Sequence, residues 1–230
     1  MTDKINDWYS KLPKDLKRES KIDKNFKKHH ILPNSMICCI GGTGSGKTQC
    51  LMEMLHRMQD KFYEIIIFNP VSTDEPLYNL LKQMCPDVQL INNIEELPSL
   101  SEFDNDSKDL EKLIVFDDFI NLPKKDFKKI NEYLTGGRKS GFTVYVQAQN
   151  YTSIPKIITR NCQYFILFRL NDNVSINKII KNHNIDNINK DVFKNHYIKA
   201  TEKKGDFFLI DLKTQNRDKR LRHNFLDFLK

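Results

Sequence analysis

The sequence lacks the features that would place the protein in a membrane or in an oxidising compartment. No apolar run approaches the roughly 20 residues that a transmembrane helix needs, and the first residues, MTDKINDWYS, contain no apolar centre like that of a signal peptide. The five cysteines are odd in number and show neither CxxC nor Cys/His ligand spacing. We therefore expect a soluble protein made in the cytosol, whose cysteines are reduced and mostly buried.

Glycine is also scarce, and seven of the eight glycines lie in two short segments, 41–46 and 136–141. The sequence contains no internal repeat and no low-complexity segment. At 230 residues, the chain is long enough for one sizeable α/β core but short for two.

The positive charge is concentrated at the two ends of the chain. The net charge is +7; residues 11–30 carry eight bases and three acids, and residues 213–230 carry six bases and two acids. We divide the chain into a basic N-terminal arm (1–33), a core (34–212) and a basic C-terminal tail (213–230). Basic ends suit a polyanionic partner, because each neutralised phosphate releases a counterion. Two solvated helix faces would produce the same composition.

Short apolar runs alternate with stretches of helical periodicity through the core. The predicted strands are 36–40, 64–69, 88–91, 113–116, 142–146, 164–168 and 207–212. The predicted helices are 49–58, 76–84, 126–134, 155–161 and one or two segments within 175–199, with a loop at 97–109 and short helices in the arm. The alternation predicts an α/β protein with a mainly parallel sheet flanked by helices, whose ligand crevice lies at the carboxyl ends of the strands.

A glycine-rich segment, IGGTGSGKT at 40–48, connects a predicted strand with a predicted helix. Glycines allow successive backbone N–H groups to face one concavity, and the helix start adds unpaired N–H groups, so the segment suits phosphate. Lys47 would reach the β- and γ-phosphates, and the Thr48 hydroxyl would coordinate magnesium. A glycine turn without nucleotide is the alternative. The predicted nucleotide-binding residues are Gly41, Gly42, Thr43, Gly44, Ser45, Gly46, Lys47, Thr48 and Gln49.

Two adjacent carboxylates, Asp117 and Asp118, follow the apolar strand LIVF at 113–116. Neighbouring carboxylates in an apolar setting repel each other unless a cation lies beside them, so their position favours a magnesium site. Asp117 would bind the metal, and Asp118 would orient or deprotonate an attacking water. The alternative is an ordinary strand end with a helix-capping aspartate.

Three segments, GGTGSGKT, LIVFDD and GGRKSGFTVYVQAQNYTSIPKIITRN, resemble the Walker A, Walker B and sensor regions of the FtsK/HerA superfamily. The resemblance is greatest to the virion-packaging ATPases of nucleocytoplasmic large DNA viruses and their virophages, and it covers about residues 31–170. Walker A alone is typical of all P-loop proteins, whereas the run from Gly136 to Asn161 is more specific.

The resemblance implies a RecA-like (ASCE) P-loop NTPase that hydrolyses ATP with Mg²⁺ and moves double-stranded DNA into a preformed capsid. It implies a homo-oligomeric ring, of about five or six subunits, and a capsid or portal-vertex protein as a further partner. The implied location is the host-cell cytoplasm at viral assembly sites, with the virion as a second location.

The resemblance also implies roles for single residues. Asp118 takes the place of the catalytic carboxylate, although the wider superfamily often has glutamate there, and the shorter side chain puts the rate in question. Gln149 takes the place of the polar sensor that contacts the γ-phosphate or the water. Gln147 lies on the same strand face and is the second candidate.

Two arginines, Arg138 in the loop GGRKSG and Arg160 at the end of a predicted helix, are candidates for an arginine finger that reaches across a subunit boundary. A salt bridge to an acid is the usual alternative for such residues. At Arg160, the helix dipole alone also favours a cation.

Four lysines after the aspartate pair are candidate DNA contacts, because their spacing places two pairs one helical turn apart. The same spacing is expected of a solvated helix face. A motor that accepts every sequence should contact phosphates rather than bases. The four residues are Lys124, Lys125, Lys128 and Lys129.

Two other functions remain compatible with the sequence. A nucleoside or nucleotide kinase shares the phosphate-binding loop, but it needs an acceptor pocket and usually an arginine-rich lid. A nucleotide-dependent capsid assembly factor with low turnover would also keep the loop. The sequence favours the packaging motor, because a polar residue ends the strand after Walker B.

Overall fold

A computed structural model describes residues 6–13, 23–71, 74–103, 110–183, 185 and 188–229. The strands are β1 (Met36–Ile40), β2 (Glu64–Phe68), β3 (Gln89–Ile91), β4 (Lys112–Phe116), β5 (Phe142–Ala148), β6 (Tyr164–Leu167), β7 (Phe208–Asp211), β8 (Leu221–His223) and β9 (Asp227–Phe228). The helices are α1 (Lys47–Arg57), α2 (Pro76–Met84), α3 (Phe127–Gly136), α4 (Lys156–Asn161), α5 (Asn173–Asn182) and α6 (Lys190–Ala200).

The nine strands form a sheet in the order β3-β2-β4-β5-β1-β6-β7-β8-β9. The pairs from β3 to β6 are parallel, and the pairs from β6 to β9 are antiparallel. All residues of β1 and β4 are buried, as expected for parallel strands that are covered on both faces. The predicted α/β class and the mainly parallel sheet are therefore confirmed.

Helices cover both faces of the sheet because successive side chains of a strand point to opposite sides. Ile37 and Cys39 of β1 pack into a core that includes buried residues of α1 and α2. Cys38 and Ile40 pack into a second core that includes buried residues of α3, α4, α5 and α6. All five cysteines are free and four are buried, as predicted.

The prediction that residues 207–212 form the last strand is wrong, because β8 and β9 extend the sheet beyond β7. Arg222 in β8 is only 1% exposed. Its guanidinium pairs with the Asp211 carboxylate and donates hydrogen bonds to the carbonyls of His29, at 3.3 Å, and His30, at 3.2 Å. A count of charges treats Arg222 as part of a solvated tail, whereas its burial gives it a structural role.

The described part of the N-terminal arm packs partly against the core. Ile31 is 1% exposed, and the buried His29 ring contacts the Asp23 carboxylate at 2.8 Å. Burial lowers the pKa of His29, and Asp23 opposes this effect. Short 3-10 turns at Tyr9–Lys11 and Phe26–Lys28 stand where short helices were expected. Several of the arm's basic residues, between positions 14 and 22, lie outside the described residues.

Two other segments differ in detail from the sequence predictions. The region 175–199 forms two helices, α5 and α6. The expected loop at 97–109 contains a 3-10 turn at Leu100–Phe103, and its residues 104–109 lie outside the described part of the chain. Within that described part, no helix has the length and apolarity that spanning a membrane requires.

Substitution Arg222→Ala is expected to lower the free energy of unfolding by about 3–5 kcal/mol, because the buried Asp211 carboxylate loses its charged partner. Lys219→Ala is the control, since that side chain is exposed and its loss should cost less than about 0.5 kcal/mol. Urea unfolding followed by circular dichroism measures both. Equal stability of the two variants would contradict a structural role for Arg222.

Candidate active site

The predicted nucleotide-binding, metal-binding and sensor residues meet at the carboxyl edge of three neighbouring strands, β4, β5 and β1. Phe116 of β4 pairs with Val146 of β5, and Ile40 of β1 pairs with Ala148. Asp117 and the glycine-rich loop therefore leave the sheet at the same edge. Open parallel sheets bind their ligands at this edge.

The loop between β1 and α1 is shaped as a phosphate cradle. Gly44 and Gly46 have φ angles of +71° and +105°, which favour glycine over other residues. A Cβ at Gly44 would meet open space, whereas a Cβ at Gly41 would lie 2.8 Å from the Cβ of Phe168. Because α1 begins at Lys47, the unpaired N–H groups of its first turn lie next to this space.

Two polar side chains of the loop are placed to receive a ligand. The Lys47 ammonium donates hydrogen bonds to the carbonyls of Gly41, at 2.8 Å, and Gly42, at 3.2 Å, so it lies over the loop. The Ser45 hydroxyl is buried and has no hydrogen-bond partner among the described residues. A buried polar group without a partner is costly, and a phosphate oxygen would satisfy it. These observations fit the predicted nucleotide site.

Asp117 is buried, at 7% exposure, and is held by two side chains. The Tyr78 hydroxyl donates to Oδ2 at 2.8 Å, and the Asn69 amide donates to the same oxygen at 3.3 Å. Burial raises the pKa of the Asp117 carboxyl; the hydrogen bond from Tyr78 opposes this shift, and the charge of Asp118 adds to it. Among the described residues both side-chain hydrogen bonds go to Oδ2, which leaves Oδ1 for a cation.

The donor set at this point fits magnesium. Burial raises the pKa of the Tyr78 hydroxyl, and the Thr48 side chain opposes this shift, so Thr48 lies near the phenol that also contacts Asp117. A hydroxyl and a carboxylate are hard oxygen ligands, and Mg²⁺ commonly takes one or two such protein ligands together with waters and substrate phosphates.

Asp118 lies at the same carboxyl edge of the sheet but faces a different cavity from the phosphate loop. It is half-buried and lines a cavity of about 340 Å³ together with Gln149 and Asn150. Its φ angle is +47°, in the left-handed region, where aspartate and asparagine are tolerated better than glutamate because their short polar side chains hydrogen-bond locally. This conformation gives a physical reason for aspartate at a place where the wider superfamily often has glutamate.

The two sensor candidates occupy different positions. Gln149 is exposed and shares the cavity with Asp118. Gln147 is buried, at 1% exposure, and its Nε2 donates to the Tyr78 hydroxyl at 3.2 Å. The Oε1 atom of Gln147 has no partner among the described residues. Gln149 is thus placed beside the catalytic-carboxylate candidate, and Gln147 is connected to the metal-ligand candidate.

The two arginine-finger candidates lie at the opposite, amino edge of the sheet. Arg138 precedes β5, Arg160 lies near the end of α4 just before β6, and both are exposed. The length of β5, roughly 20 Å at about 3.3 Å per residue, separates this edge from the phosphate loop. Arg138 and Asn161 line a cavity of about 380 Å³ there. Neither arginine therefore lies beside the nucleotide site of its own chain.

The four candidate DNA lysines do not form the predicted helical ridge. Lys124 and Lys125 lie in the turn before α3 rather than on it, so that part of the prediction is wrong. Lys129 donates to two backbone carbonyls of the 3-10 turn Ile94–Glu96. Lys124, Lys125 and Lys128 are exposed.

Sequence reasoning missed Tyr78 and Asn69. Neither belongs to a recognised motif; Asn69 directly follows β2, and Tyr78 lies on the buried side of α2. The only signal in the sequence was indirect: Asn69 ends a predicted buried strand. The pairing of β2 with β4, which brings this residue beside Asp117, appears only in the fold.

Solved structures share this fold. The DNA-packaging ATPase B204 of Sulfolobus Turreted Icosahedral Virus superposes with a TM-score of 0.58 at 16% identity, over 80% of this chain and 95% of the other. The genome packaging NTPase B204 of Sulfolobus turreted icosahedral virus 2, in complex with ATP-gammaS, superposes with a TM-score of 0.55 at 14% identity, over 81% and 96% of the two chains. These similarities establish the RecA-like P-loop fold.

Sequence comparison identifies relatives among the poxviruses. The DNA packaging protein OPG160 of Vaccinia virus (strain Copenhagen) is 26% identical over 168 residues, which cover 64% of this chain and 58% of the vaccinia protein. The monkeypox protein of the same name is equally similar, over 52% of its length. The chain thus spans only part of the length of these relatives. The sequence profile of the family described as Poxvirus A32 protein matches residues 23–211, and this chain therefore belongs to that family.

Proposed function

We propose that this chain is an ATP-hydrolysing motor that translocates double-stranded DNA into a viral capsid. One observation carries the proposal: the phosphate cradle, the two aspartates and the two glutamines at the end of β5 and just after it meet at one edge of the sheet. Membership of a family whose vaccinia relative is named a DNA packaging protein supports the choice of DNA as the moved polymer.

The geometry supports a different role in hydrolysis for each group of residues at the site. Backbone N–H groups at the start of α1 and the Lys47 ammonium would bind the phosphates of ATP and stabilise charge on the γ-phosphoryl group. Asp118 would accept a proton from the attacking water, with Gln149 beside it to orient that water. Mg²⁺, held by Thr48 and Asp117, would supply charge neutralisation at the phosphate oxygens.

The partners follow from the same proposal. The exposed lysines before and on α3, Lys124, Lys125 and Lys128, would contact DNA phosphates, together with the basic ends of the chain. Subunits would assemble into a closed ring of about five or six copies that docks on a capsid or portal-vertex protein. The motor would act at viral assembly sites in the host cytoplasm, and the virion is a second location.

We expect ATP turnover by the purified protein to rise on addition of duplex DNA of any sequence. Lys47→Ala should lower that turnover by at least about 100-fold, because the phosphates lose their point charge. Phosphate release with and without DNA measures both effects.

The same assay separates the alternatives. ATP turnover that DNA does not stimulate, with transfer of phosphate to an added nucleoside, would indicate a kinase. A protein that binds nucleotide and releases no phosphate at any DNA concentration would contradict the motor and leave an assembly factor.

We expect Asp118→Asn to lower turnover by about 10²–10⁴-fold, because the amide accepts no proton from water. Asparagine tolerates the left-handed backbone at this position, so binding of a fluorescent ATP analogue should stay within a few-fold of wild type. Asp118→Glu is the comparison. Glutamate keeps a carboxylate base but fits the left-handed backbone at this position less well, and the variant should retain more turnover than Asp118→Asn. Wild-type turnover by Asp118→Asn would show that Asp118 is not the general base.

Because Arg138 and Arg160 lie far from the nucleotide site of their own chain, either of them would act on ATP only from a neighbouring subunit. An inactive Lys47→Ala protein mixed equally with an inactive Arg138→Ala protein should recover about a quarter of the wild-type rate. An active site needs an intact Lys47 from one subunit and an intact Arg138 from its neighbour, and random assembly produces this combination in about one of four pairings. The same mixing with Arg160→Ala tests the second candidate. A mixture that stays as inactive as its components would exclude the arginine tested.

A further inference from the structure

We propose that Tyr78 is a positioning residue: its hydroxyl sets the orientation of the Asp117 carboxylate and thereby the affinity of the nucleotide site for Mg²⁺. The inference rests on the proposed nucleotide site, and it adds a residue that no sequence motif contains.

The Tyr78 hydroxyl connects the separate parts of the site. The side chain extends from α2 and is 1% exposed. The hydroxyl donates its proton to Asp117 Oδ2 at 2.8 Å and accepts a hydrogen bond from Gln147 Nε2 at 3.2 Å. A phenol has one proton and two lone pairs. The proton is donated to Asp117, which directly follows β4, and one lone pair accepts from Gln147 of β5.

These contacts determine which carboxylate oxygen is free. The terminal torsion of an aspartate is broad and roughly two-fold, so an unrestrained carboxylate would present either oxygen. Tyr78 and Asn69 both donate to Oδ2, which fixes the rotation and directs Oδ1 away from these donors. Groups that hydrogen-bond to a metal ligand commonly change metal affinity or activity by about 10–100-fold when removed.

Tyr78 is a hydrogen-bond donor at neutral pH, because an ordinary tyrosine hydroxyl loses its proton only near about pH 10. Its proton is donated to Asp117 Oδ2. A phenylalanine would fill the same space within the core but would leave Oδ2 with only the longer bond from Asn69.

The test is the Mg²⁺ dependence of nucleotide binding by Tyr78→Phe. Affinity for a fluorescent ATP analogue is measured in EDTA and at rising Mg²⁺, without DNA and without turnover. We expect the Mg²⁺ concentration for half-maximal enhancement of binding to rise about 10–100-fold, with little change of the affinity in EDTA. Tyr133→Phe is the matched control. Tyr133 of α3 is also buried, and its hydroxyl donates to the Pro98 carbonyl at 2.8 Å, away from the nucleotide site.

A folded Tyr78→Phe protein with the Mg²⁺ dependence of wild type would overturn the proposal, as would an equal change in Tyr133→Phe. Asn69→Ala removes the other hydrogen bond to Asp117 Oδ2 and should also raise the Mg²⁺ concentration for half-maximal enhancement. The factor should be smaller, because this bond is longer. If Tyr78→Phe does not fold, an unchanged Mg²⁺ dependence in Asn69→Ala overturns the proposal. A wild-type protein that binds nucleotide with Mg²⁺ but never hydrolyses it would instead defeat the proposed motor and leave the role of Tyr78 standing.

Discussion

The parallel pairing of β5 with both β4 and β1 is the constraint on which the site depends. Its register places Phe116 beside Val146 and Ile40 beside Ala148, so an aspartate, a glutamine and the phosphate cradle leave the sheet together. A shift of the register by one residue would turn every side chain of a strand to the other face. Continuous burial of the strands on both faces makes such a shift costly, because polar groups would enter two apolar cores at once.

The central sheet could be predicted from the sequence because its strands are short apolar runs that end in turn or charged residues. The Walker A loop could be predicted because its positive φ angles at Gly44 and Gly46 favour glycine, which leaves a recognisable glycine spacing before Lys47. The strands β8 and β9 could not be predicted, since they are short and charged and pair only in the context of β7. Arg222 illustrates the difficulty: a count of charges cannot distinguish a buried partner of Asp211 from a solvated base.

The parts of the site that sequence reasoning missed come from long-range packing. Tyr78 and Asn69 precede Asp117 by tens of residues and reach it because β2 is the neighbour of β4. The predicted lysine ridge was partly wrong for a local reason, because α3 begins after Lys125. The choice between Gln147 and Gln149 was open because alternate residues share a strand face. Burial separates them, since one residue is enclosed and the other is open to the cavity of Asp118.

The contacts of Arg222 bring together two segments that are nearly two hundred residues apart in the sequence. Its guanidinium bonds to the backbone of His29 and His30 on one side and to the carbonyl of Lys219 on the other. The exposed Lys27 and Lys28 therefore lie on the same flank as Lys219. Charges that neighbour each other within about one Debye length sum into a common potential. The buried guanidinium thus holds basic residues from both ends of the sequence at one flank of the fold, where their potentials add.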